Sequence, residues 1–102
     1  MLPERVEVGP TEYRVVRDVA WLARCSRMGE ADHYEGVIKI QEGLPESQEW
    51  ETFWHEVCHC VDHNYLNGKL DEDEVACFAR GLYQAVKSMG LLEPQRFNGR
   101  ID

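Results

Sequence analysis

The 102-residue chain holds no run approaching the roughly 18 apolar residues that read as a membrane span. It also lacks a basic footprint. The formal net charge is -8, and between Glu46 and Ala79 nine acidic residues stand against a single basic one, Lys69. Cations must neutralise phosphates for a duplex to bind, so neither nucleic acid nor a membrane is an expected partner. The first residues, MLPERVEVG, have no apolar core of the kind an export signal needs. That points to the cytoplasm and to reduced thiols, so Cys25, Cys58, Cys60 and Cys77 are not read as a disulfide framework. Repeats, linkers and low-complexity segments are missing too. What is present is a globular composition, 43% hydrophobic and 29% charged, in a chain long enough for one domain, residues 1–102, with one modest core.

The first half reads as short strands. ERVEVG, residues 4 to 9, alternates and stops at Gly9-Pro10. YRVVR, residues 13 to 17, is rich in strand formers, so the two suggest an antiparallel hairpin. Asp18 is placed to cap a helix over VAWLARCSRMG closed by Gly29; the alternative is a second strand running to about Val19. EADHYEG is polar, and VIKIQEG, residues 37 to 43, then alternates as a half-buried strand does.

The second half reads as two helices. Glu46 to Asn64 contains no Pro or Gly, and Trp50, Phe53, Trp54, Val57, Cys58 and Val61 recur at three- and four-residue spacing. Asn67-Gly68 is a turn pair. A second helix follows Asp71 to about Met89, with Val75, Phe78, Ala79, Leu82, Tyr83 and Val86 as its apolar stripe. Trp50, Phe53, Trp54, Val57, Val61, Phe78, Leu82 and Val86 are the expected shared core. LLEPQRFNGRID reads as a packed or frayed tail. The fold class is therefore α+β: a small, mostly antiparallel sheet on a long helix, with a second antiparallel helix beside it.

Three of the four histidines fall in WHEVCHCVDH, residues 54 to 63. Inside it is HEVCH, the pattern of two histidines four apart with Glu after the first. Residues i and i+4 share one helix face, so His55 and His59 can hold one Zn2+ ion between them. Glu56 lies about 100° round the helix. It can take the proton of a zinc-bound water without itself binding the metal. The chemistry so encoded is peptide-bond hydrolysis on a protein or peptide substrate, with Glu56 catalytic.

A catalytic zinc usually takes a third protein ligand. A third His about ten positions after His55 is not available, because Tyr65 stands there and no Gly breaks the helix after His59. An antiparallel second helix could deliver a carboxylate from Glu74, Glu72, Asp73 or Asp71. Against Glu74 stands its spacing from Asp71, which is that of a capping box.

The runs ETFWHEVCHCVDH and DEDEVACFARGL resemble the small gluzincin-type zincin metallopeptidases, particularly the phage- and mobile-element-associated ImmA/IrrE-like proteins. Thr52 three before the first His, and Glu74, Ala76, Phe78 and Ala79 on the second helix, carry the likeness over residues 37 to 83. Cys58, Cys60 and Cys77 depart from that pattern. The resemblance implies Glu74 as the third zinc ligand. It also implies that the strand of residues 37 to 43 borders the active cleft, with an extended peptide along that edge.

Further polar groups could orient a ligand or stabilise an oxyanion: Tyr34, Asp62, His63 and Tyr65, with His33. Three other readings use the same residues. The first is a catalytically silent zincin-like module that binds a protein. The second is a purely structural zinc on Cys58, Cys60, His63 and Cys77, although Cys58 and Cys60 point about 200° apart on a helix. The third is a Cys60–His63 nucleophile. An acidic cleft would suit a basic or neutral peptide.

Overall fold

The computed structural model of the protein describes residues 1–18 and 20–92. Strands β1 (Arg5–Val8) and β2 (Thr11–Asp18) form the expected hairpin, with Gly9 at φ +61° in its turn. A single helical turn, α1 (Trp21–Arg24), leads to β3 (Gly29–Asp32) and β4 (Val37–Gln41). Two long helices follow, α2 (Glu46–Tyr65) and α3 (Glu72–Ser88). The sheet order is β1-β2-β4-β3. β1–β2 and β3–β4 are antiparallel, and β2 runs parallel to β4. The architecture is the α+β arrangement that the residue pattern implies.

One face of the sheet forms the main core. Val6 pairs with Tyr13, Val15 with Ile38, and Ala31 with Ile38, so these side chains share a face. Trp50, Phe53, Val57 and Cys60 of α2 pack onto that face. Tyr13, Ile38, Ile40 and Cys60 are fully buried there. On its other side α2 meets α3 through Cys58, Val75 and Ala79, flanked by Trp54, Leu70 and Leu82. Leu22 of α1 is also fully buried, and Lys39 of β4 lies 5.5 Å from the ring centroid of Trp21.

Four expectations are corrected. The Asp18 carboxylate accepts from the Leu22 N–H at 2.8 Å, but the N-cap position is Ala20 and the helix ends at Arg24. Of its residues only Leu22 is buried, so a longer helix would have no face to dock. Gly29 opens β3 rather than closing a helix. The polar stretch after it is a strand as far as Asp32, held by backbone pairing to β4. β4 lies inside the sheet, so the edge strand beside α2 is β3, not residues 37 to 43. Finally, Val61 and Phe78 are exposed, not core, because α2 and α3 meet along Cys58, Val75 and Ala79. The tail from residue 93 and the extension to Val19 lie outside the described residues.

At Gly29 β3 runs close against α2. A Cβ built there would lie 2.6 Å from Thr52 Cγ2 and 3.1 Å from Glu56 Oε2. Gly29→Ala is expected to destabilise the protein by about 1–3 kcal/mol, read by chemical denaturation. Gly81, with nothing within 4 Å of its Cβ position, should tolerate Ala or gain up to about 1 kcal/mol from helix propensity.

Candidate metal centre and cleft

α2 has two apolar faces, one toward the sheet and one toward α3. Thr52, His55, Glu56 and His59 fall on the strip between them, spaced i, i+3, i+4 and i+7. They line a cleft of about 500 Å³ with Gly29, Ala31 and His33 on the β3 side and Glu72, Ala76 and Arg80 on the α3 side. Alternation along an extended chain places Gly29, Ala31 and His33 on that side together.

At the cleft, His55 Nε2 is 3.2 Å from His59 Nε2. Glu72 reaches both rings: its Oε2 is 2.7 Å from His55 Nε2 and its Oε1 is 3.2 Å from His59 Nε2. These three residues form a group able to coordinate a metal ion, with donor atoms all within 4.8 Å of one another. Tetrahedral donors about 2.0–2.1 Å from a zinc ion stand roughly 3.3 Å apart, close to the two longer separations. Two imidazoles and a carboxylate are also a donor set that suits zinc.

The carboxylate in place is Glu72, not Glu74. Glu74 is the third residue of α3, and its side chain accepts from the Asp71 N–H at 2.9 Å while Asp71 Oδ1 accepts from the Glu74 N–H at 2.8 Å. The capping box therefore engages Glu74 at the helix end and leaves Glu72, the first helical residue, facing α2. The Asp-x-x-Glu spacing carried that signal.

Glu56 is 7% exposed. Burial pushes its carboxyl up to about 7; Arg27 opposes the rise, while Glu72 and Glu30 add to it. Positive charge at the imidazole cluster would bring it down. Burial also lowers the pKa of His59, against the pull of Glu72.

Of the other polar groups singled out, only His33 lines the cleft. Tyr34 and Tyr65 are exposed. Asp62 is buried, and its Oδ1 accepts from the Leu70 N–H at 3.2 Å, so it ties the loop after α2 to the helix. His63 stacks on His33, ring centroids 4.0 Å apart and planes parallel. Cys60 faces the sheet and Cys58 faces α3, so they share no metal. Burial drives the Cys60 thiol up to about 12, which removes it as a nucleophile. Arg27 and Arg80 line the cleft with Glu51, Glu56 and Glu72, so its walls carry both signs of charge. Gly29 and Arg27 had no motif to mark them.

A His-x-x-x-His helix faced by a carboxylate from the next helix, beside a small mixed sheet, is a zincin-like arrangement. Compared with family models, curated proteins and solved structures, the chain finds no match.

Two outcomes follow from this geometry. Glu72→Gln should weaken zinc binding beyond the roughly 10–100-fold loss typical of an outer-shell partner, whereas Glu74→Gln should leave it nearly intact, as measured by competition with a chromogenic chelator. In chelator-treated protein, folded Glu56 keeps a proton that the unfolded chain has already released. Its contribution to stability should fall by about 3 kcal/mol as pH rises from about 4.5 to 7. The difference between wild-type and Glu56→Gln stability curves isolates that limb.

Proposed function

We propose that residues 1–102 are a minimal zincin-like metallopeptidase domain that hydrolyses peptide bonds, held to its metal by His55, His59 and Glu72. The observation that carries this reading is the buried Glu56 beside a three-donor cluster on the wall of an open cleft. A zinc ion held by His55, His59 and Glu72 would supply Lewis acidity, lowering the pKa of a water and polarising a carbonyl oxygen. Glu56 takes the proton from water and returns it to the leaving amide nitrogen. Its carboxyl titrates near neutrality in the metal-free protein, which suits both transfers. The missing Cβ of Gly29 leaves room for its carboxyl against β3, since a side chain there would lie 3.1 Å from Glu56 Oε2.

The substrate is a protein or peptide lying extended along β3, whose outer edge is unpaired within the sheet. The mixed charge of the cleft favours a peptide with carboxylate as well as basic or neutral side chains. The likeness to ImmA/IrrE-like proteins in the sequence of α2 and α3 supports a phage- or mobile-element-related peptidase of the cytoplasm. No helix among the described residues is long and apolar enough to cross a membrane. Glu72 is two-thirds exposed, which suits a site open to substrate better than a closed structural one.

The test is a zinc-loaded sample incubated with a mixed peptide library and followed by mass spectrometry. Wild type should cut internal bonds, and Glu56→Gln should lose at least about a hundredfold in rate with zinc retained. Stoichiometric zinc without any cleavage would instead mean a silent binding module. Unfolding on chelation would mean a structural metal.

A further inference from the structure

The cleft holds a polar chain that neither the core nor the metal cluster requires. Tyr13 of β2 is fully buried, yet its hydroxyl stands 3.0 Å from His33 Nδ1 and 3.0 Å from Asn64 Nδ2. Asn64 Nδ2 is also 2.8 Å from the Cys60 carbonyl oxygen. A carbonyl oxygen only accepts, so the Asn64 atom facing it must be the amide nitrogen. The other N–H of that nitrogen donates to the Tyr13 oxygen. The Tyr13 proton is then free to be given away. The acceptors around it are His33 Nδ1, the Cys60 thiol and the Thr11 hydroxyl, the latter two also interacting with the phenol. Imidazole nitrogen is the strongest acceptor of the three. With Nδ1 accepting, the neutral ring of His33 carries its proton on Nε2.

His33 lines the cleft beside His59. Its Nδ1 is turned inward to Tyr13, and the parallel His63 ring fixes the plane of the imidazole. Burial, with the neighbouring His63 and His59, lowers its pKa.

We propose that His33 is a catalytic hydrogen-bond donor that presents Nε2–H to the carbonyl oxygen of the bound peptide, with Tyr13 and Asn64 as positioning residues that fix its tautomer. The proposal rests on the hydrolase reading above. A donor aimed at the oxygen where negative charge develops is worth far more in the transition state than in the ground state. It should therefore act on kcat rather than on KM.

The test has two arms. In the first, long-range 1H–15N NMR of the uniformly labelled chain above pH 7 reads the imidazole tautomer directly, without activity. His33 is expected as the Nε2–H form in wild type and as a mixture in Tyr13→Phe. In the second, zinc-loaded His33→Ala should lose about a hundredfold in kcat at unchanged KM and zinc stoichiometry. His33→Gln, which keeps an N–H, should recover part of the loss. Thermal melts and zinc content confirm that the variants fold. An Nδ1–H tautomer in wild type, a tautomer indifferent to Tyr13→Phe, or a His33→Ala kcat within threefold of wild type would each overturn the proposal while peptide cleavage by wild type stands. A zinc-loaded wild type that cleaves nothing would instead bring down the hydrolase reading, and this donor role with it.

Discussion

Everything at the site depends on α2 being packed on two sides. Trp50, Phe53, Val57 and Cys60 hold it to the sheet, and Cys58 holds it to Val75 and Ala79 of α3. A helix clamped on two faces keeps a strip between them whose direction is fixed by the 3.6-residue period. His55, Glu56 and His59 occupy that strip. Their mutual placement follows from hydrophobic burial elsewhere on the same helix, which is why so small a chain can hold a defined constellation. The same packing leaves Val61 and Phe78 outside both contacts and exposed.

The two kinds of acidic group at the cleft differ in environment, and the difference sorts their roles. Glu56 is enclosed where Gly29 leaves it room, and desolvation makes its proton hard to remove. Glu72 sits exposed at the first turn of α3, its two oxygens within reach of both imidazoles. One carboxyl is enclosed away from water and the other stands open beside two rings. This division of labour needs no difference in residue type, only in burial.

Much of this was legible in the residues, and the parts that were not had physical reasons. The two helices, the first hairpin and the His55–Glu56–His59 strip follow from periodicity, turn residues and i to i+4 geometry. The helix after Asp18 stops at Arg24, because apolar residues without a surface to cover cannot prolong a helix. β3 has no signature in the residues, because Gly29, Glu30, Ala31 and Asp32 lack any hydrophobic alternation; their strand exists through backbone pairing to Val37–Ile40. Glu72 and Glu74 differ by a competition visible in the sequence. The spacing from Asp71 marks Glu74 for the helix cap, a local rule that the family likeness does not contain. Tyr13 and Asn64 stand 51 positions apart, so nothing local could announce that they meet.

Glu72 lies only 17 positions from His55, and the link between α2 and α3 is stitched back to α2 by Asp62. Its carboxylate accepts from the Leu70 N–H, and its carbonyl oxygen accepts from the Leu66 and Gly68 N–H groups. All three donors thus belong to one helical hairpin with little loop-closure entropy to overcome. The enclosure of Glu56 is of another origin, since it draws on β3, a strand placed by long-range pairing. The cluster able to coordinate a cation and the enclosure of the neighbouring acid are consequently independent inheritances of the chain, one local and one global, joined where Gly29 meets α2.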